Sequence, residues 1–123
     1  MENYTAHDLF KDTDTFNRIC NNYQDVTQQS FDNQLNLVIE EHNELLLAHK
    51  EKNVVEICDA ICDCLITLFG YQRKIENCYG VDFSKVMKLI AENNLSKYPT
   101  DEQVAIDTVQ MYKDQGLETY YTF

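Results

Sequence analysis

The stretch Ile39–Asp63, IEEHNELLLAHKEKNVVEICDAICD, sets carboxylates into two segments that otherwise read as buried helix. With about 100° of turn per residue, Glu41 and Glu44 share one narrow sector with Leu37, Leu45 and Ala48, on the apolar side of their helix, and Glu40 lies to the flank. In the following segment Glu56, Asp59 and Asp63 fall in one sector with Ala60, Thr67 and Gly70. The remaining directions carry Ile57, Ile61, Leu65, Ile66, Leu68, Phe69 and cysteines. That pattern describes a helix surrounded by apolar residues except for a single acidic stripe flanked by small ones. A solvated charged face, the usual meaning of an acidic run, does not account for acids whose neighbours on the wheel are apolar.

Gathering several like charges is costly unless cations neutralise them. The chain has two arginines, Arg18 and Arg73, and its lysines sit mostly at helix ends. Two helices packed antiparallel, each giving carboxylates at i and i+3, can instead converge on one divalent ion. All-oxygen ligands suit Mg2+, with Mn2+ as a substitute, and Mg2+ keeps positions open for phosphate oxygens. A di-iron site fits less well. It wants Glu-x-x-His on two helices, whereas His42 directly follows Glu41 and the second segment has no histidine. His42 and His49 share a side of their helix and read as packing or interface residues.

The rest of the chain surrounds these segments with more helix. At 123 residues with three glycines, one proline and no alternating β-branched runs, the composition favours one all-α domain spanning residues 1–123, a four-to-five-helix bundle. The pattern places helices over about Thr13–Asn22, Phe31–Lys50 with Ser30 as N-cap, Val54–Cys78 and Phe83–Leu95 with Asp82 as cap. A last helix begins at the capping box TDEQ, Thr100–Gln103, and ends near Gly116. The tail LETYYTF reads as a short strand or a packed arm.

A net charge of −11 argues against nucleic acid or an anionic membrane as partner, since both need a basic footprint. Without an apolar leader or a spanning run, the expected location is the cytoplasm. Cys20, Cys58, Cys62, Cys64 and Cys78 are an odd set crowded at CDAICDC. Their spacing matches no common zinc ribbon or finger, so they read as reduced thiols acting as small buried hydrophobes.

EEHNELLLAHKEKNVVEICDAICDCLITLFG, then YGVDFSKV, then NNLSK resembles, in order and spacing, the MazG-like all-α NTP pyrophosphatases, in particular a compact branch often encoded by phages. The likeness covers Phe31 to Lys97. It implies hydrolysis between the α- and β-phosphates of a nucleoside triphosphate, giving a monophosphate and pyrophosphate. Carried over to this chain, it implies Glu41, Glu44, Glu56 and Asp59 as Mg2+ ligands. Glu40 or Asp63 would orient the attacking water or hold a second ion, and Asn94 and Lys97 would reach the phosphates. It also implies a homodimer or homotetramer with sites near the subunit interface, which fits an apolar surround on the third helix wider than one neighbour can cover. No base-reading pattern stands out in the first helix, so the nucleobase stays open. Two other readings use the same residues: a catalytically silent nucleotide- or alarmone-binding protein, and a helical interaction module with solvated acids.

Overall fold

The structure, a computed structural model, describes residues 3–24, 27–95 and 102–116. It is all-helical, with no strand among the described residues: α1 (Ala6–Ile19), α2 (Gln28–Glu51), α3 (Val54–Tyr79), α4 (Phe83–Leu95) and α5 (Glu102–Asp114). No described helix is long and apolar enough to cross a membrane. Packing divides the chain into two compact units, Met1–Val81 and Asp82–Phe123.

In the first unit, α1 starts at Ala6 rather than near Thr13. Thr5 and Asp8 form a reciprocal capping box in which the Thr5 side chain accepts from the Asp8 amide and the Asp8 side chain accepts from the Thr5 amide. Thr13, expected at the start, is a buried residue inside the helix. The helix ends at Ile19, and Asn21 just beyond takes a left-handed conformation, φ 57°, which asparagine tolerates better than most residues.

The cap of α2 is Thr27, whose side chain accepts from the Ser30 amide at 3.2 Å. Ser30, the expected cap, is instead a buried first-turn residue whose hydroxyl receives the Lys74 ammonium. At the other end Lys52 turns left-handed (φ 56°), and Asn53 at once caps α3 by accepting from the Glu56 amide at 3.2 Å. Two residues therefore reverse the chain. α3 closes at Gly80, whose φ of 63° is the left-handed stop glycine supplies most easily.

That short turn makes α2 and α3 antiparallel. As one ascends and the other descends, Ser30 meets Lys74, Gln34 meets Thr67 and Gly70, and Glu41 meets Asp63. The seam is narrow and polar: its buried members are Ser30, Ala48, Ala60, Cys64, Gly70 and Lys74, with Phe31 closing one end against Tyr71 and Tyr79. Gln34 Nε2 donates to the Thr67 carbonyl at 2.8 Å. α1 lies on α3 through a stacked Phe10–Phe69 pair, centroids 4.8 Å apart, and an ion pair from Arg73 Nε to Asp14 at 2.9 Å. Arg73 also bonds Glu76 and, with Arg18, lies over the ring of buried Tyr23.

The apolar flanks of α3, expected to be enclosed, are open in the single chain. Ile61, Leu65 and Leu68 are exposed, as are Leu46 and Leu47 on α2. Cys58, Cys62 and Cys20 are exposed as well, and only Cys64 is the buried small residue the sequence suggests. The physical reason is that the acidic stripe, not the apolar arc, is turned toward α2.

In the second unit, the Asp82 carboxylate accepts from the Lys85 amide at 3.4 Å, as a cap for α4. α5 buries Ala105, and Gly116 follows its end with φ 76°. The capping threonine expected at Thr100 and the tail LETYYTF lie outside the described residues.

Lys74, only 6 % exposed, donates to the Asn22 carbonyl at 2.9 Å and to Ser30 Oγ, tying the α1–α2 connection and the start of α2 to α3. Lys74→Met keeps most of the stem but leaves those acceptors without their donor, at a cost of about 1–3 kcal/mol. A urea denaturation midpoint equal to that of the parent chain would show that these bonds contribute nothing.

Candidate metal centre

Ligand oxygens of Glu41, Glu44 and Asp63 lie within 4.8 Å of one another, a spacing at which they can share one ion. Glu41 and Glu44 are one turn apart on the seam side of α2, and the antiparallel register brings Asp63 of α3 opposite them. Glu41 and Asp63 are half-buried and Glu44 is exposed, so the group sits at the rim of the seam. Oε2 of Glu41 is shut off from solvent with no hydrogen-bond partner. An acceptor in that state costs free energy unless a proton or a cation reaches it.

The electrostatics agree. Burial raises the pKa of Glu41, and the carboxylates of Glu44, Asp63 and Glu40 raise it further. Asp63 is raised by burial and then by Asp59 and Glu44. Cys64, beside them, is held up by burial and by the same acids, so it remains a neutral thiol rather than a thiolate ligand. A hard divalent cation suits this all-carboxylate donor set better than a soft thiophilic one.

The other sequence candidates divide. Asp59 is close enough to Asp63 to perturb it, one turn nearer the α2–α3 turn. Glu56 is exposed in the first turn of α3, about 10 Å along the axis from Asp63. It stands outside the trio, whose α3 member is Asp63. Glu40 is exposed and shares a shallow surface depression with Glu44, Asn36, Ile39, Asn43 and Leu47. Asn94 is exposed on α4 in the second unit, and Lys97 lies outside the described residues. His42 is exposed, with Nδ1 at 2.8 Å from the Val38 carbonyl, and takes no part in the cluster.

Sequence reading missed Lys74. It falls in the same sector of α3 as Asp63, Thr67 and Gly70, so the wheel that found the acids carries this signal too.

The chain matches no family model, no curated protein and no solved structure.

Because Glu41 is raised above its ordinary 4.5, the folded metal-free chain holds a proton that the unfolded chain has already lost. Its stability should therefore fall as pH rises from 4.5 through the raised folded value. Asp14 acts lower on the scale. Burial opposes its ionisation, but Arg18 and Arg73 outweigh that and hold it below 3.8, so its contribution is present above 3.8 and lost on further acidification. Saturating Mg2+ should flatten the slope above 4.5. Glu41→Gln should raise the Tm of the metal-free protein at pH 7 by removing one of the repelling charges. Thermal melts across pH 4.5–7.5, with EDTA or Mg2+, read both effects, and a lower Tm for Glu41→Gln would refute the repulsion.

Proposed function

We propose that the protein is a Mg2+-dependent nucleotide pyrophosphohydrolase, converting a ribo- or deoxynucleoside triphosphate to the monophosphate and pyrophosphate. One observation carries this reading: carboxylates from two helices converge within 4.8 Å around a buried Glu41 oxygen that has no partner. The resemblance of Phe31–Lys97 to the MazG-like enzymes supports it.

Glu41, Glu44 and Asp63 hold the cation in this reading, with Asp59 and Glu56 continuing the acidic stripe toward the turn as further ligands. Bound there, a divalent ion would neutralise phosphate charge and lower the pKa of a water. Glu40, solvent-facing beside Glu44, orients the attacking water and accepts its proton. The resemblance would give Asn94 and Lys97 the role of phosphate contacts. A chain of net charge −11 repels a triphosphate, so nucleotide binding depends on the cation.

Incubation with each common NTP and dNTP in Mg2+ or Mn2+, resolving nucleotides and pyrophosphate, should yield monophosphate with pyrophosphate. Glu41→Gln and Asp59→Asn should each abolish turnover while circular dichroism retains the parent helicity. Diphosphate with orthophosphate would refute the cleavage position, and full activity in either variant would refute the ligand assignment. Tight nucleotide binding with no product would mark a silent binding protein instead.

The same reading includes assembly into a homodimer or homotetramer. Leu46, Leu47, Ile61, Leu65 and Leu68 are exposed, and among the described residues no large side chain is fully buried. Complete burial of one such side chain contributes about 1.5–3 kcal/mol, so covering this surface is strongly favourable. Light scattering should return a multiple of 14.4 kDa, and the double substitution Leu65→Glu with Leu68→Glu should return the single-chain mass. A parent protein already at the single-chain mass would overturn the assembly.

A further inference from the structure

Where the seam runs out toward the α1–α2 connection, a cavity of about 370 Å3 opens among Asn21, Asn22, Asn33 and Gln34, with Leu37 on one wall and Lys74 and Ser30 at its floor. Nothing in the hydrolytic reading uses it. We propose that this cavity seats the nucleobase of the substrate, so that its amides set base preference; the inference rests on the nucleotide reading above and assigns the neutral end of the ligand.

The hydrogen bonds already made decide what the cavity offers. Gln34 Nε2 is committed to the Thr67 carbonyl at 2.8 Å, which leaves Oε1 as a fixed acceptor. Asn33 Oδ1 accepts from Gln29 Nε2 at 2.8 Å, leaving its NH2 as a donor. Asn22 Nδ2 donates to Asn17 Oδ1 at 2.9 Å, leaving its own Oδ1. Three amides are each tied at one end and have no partner among the described residues at the other. A planar heterocycle with donor and acceptor groups side by side on its edge is the chemistry that such a set recognises.

Charge and size point the same way. Lys74 bonds the Asn22 carbonyl and Ser30 Oγ, so its ammonium braces the floor instead of awaiting an anion. Small-molecule pockets span about 300–1,000 Å3, and 370 Å3 is room for a base with part of a sugar, not for a triphosphate as well. The phosphates therefore lie outside, and the acids lie in the right direction. Gln34, Leu37, Glu41 and Glu44 form one stripe of α2, with Leu37 in the cavity wall and Glu41 about one turn further on.

Gly70 supplies a variant that replaces no lining residue and leaves the acids in place, yet perturbs the cavity through Gln34. A Cβ there would come within 2.8 Å of Gln34 Nε2, the tip of a flexible side chain, so Gly70→Ala displaces the amide. Alanine is also the better helix former, so the fold is retained.

The test has two arms. In metal-free protein, side-chain amide spectra are titrated with uridine, cytidine, adenosine and guanosine, none carrying phosphate. In the hydrolysis assay, kcat/KM is measured over the full triphosphate panel for the parent, Asn33→Ala and Gly70→Ala. The expected result is saturable shifts of the Asn33 and Gln34 side-chain amides with one nucleoside above the others. Loss of base preference on the order of tenfold should follow in both variants, carried in KM rather than kcat. Nucleoside shifts without hydrolysis of any triphosphate would keep the cavity and remove the hydrolase. Hydrolysis with an unchanged order of preference in both variants would keep the hydrolase and overturn the cavity. Neither shifts nor hydrolysis would overturn both.

Discussion

The seam between α2 and α3 carries carboxylates, amides and a lysine where a two-helix contact ordinarily carries leucine, and the two-residue reversal at Lys52 and Asn53 leaves it no slack. A left-handed residue followed directly by an N-cap fixes both the direction of the return and the axial register. Glu41 must then face Asp63, Gln34 must face Thr67 and Gly70, and Ser30 must face Lys74. The acids meet because the turn places them together, against their mutual repulsion. That repulsion is what lifts Glu41 and Asp63 beyond the effect of burial alone.

Much of this was legible in the sequence. The start of α3, the extent of α4 and the Asp82 cap followed from long periodic apolar runs and the breaks between them, whereas α2 begins three residues before the expected Phe31. The first helix was misplaced because its start is marked by Thr5 and Asp8, a box closed by aspartate rather than the usual glutamate or glutamine, in a stretch with few apolar residues. Ser30 and Thr27 are equally good caps on paper, and what separates them is the demand of Lys74 for a hydroxyl, a contact forty-four residues away. The wheel set Glu41 and Glu44 on one face of α2 and Asp63 on one face of α3, and those two faces meet. A wheel reports angle and not axial position, so it could not choose among Glu56, Asp59 and Asp63 as the residue opposite Glu41. The register set by the turn makes that choice.

The hairpin is inverted relative to an ordinary amphipathic pair: polar groups and small residues such as Ala48, Ala60 and Gly70 line its inside, while Leu46, Leu47, Ile61, Leu65 and Leu68 look out. Small residues allow the two backbones to approach closely, and that approach brings the carboxylates within reach of one ion. The same choice forfeits apolar burial along the seam. Stability then has to come from the α1 contacts, the Phe31–Tyr71–Tyr79 cluster and whatever covers the outward leucines. The gathered carboxylates and the outward-facing leucines are therefore two consequences of one packing choice.

Lys74 shares a sector of α3 with Asp63 but is not the counter-ion of the acids. Distance rules it out. Eleven residues separate Asp63 from Lys74, about 16 Å along the axis, twice the screening length of about 8 Å at physiological ionic strength. The ammonium is moreover committed to the Asn22 carbonyl and Ser30. The seam thus carries its acids at one end and, among the described residues, its one buried ammonium at the other. Among the described residues of the seam no cation relieves the three carboxylates within 4.8 Å, and burial with mutual repulsion pushes Glu41 toward its protonated form. An oxygen without a partner among these acids is one that a proton or a diffusible cation would satisfy, and on so acidic a chain a cation is also what would let a polyanion approach this end.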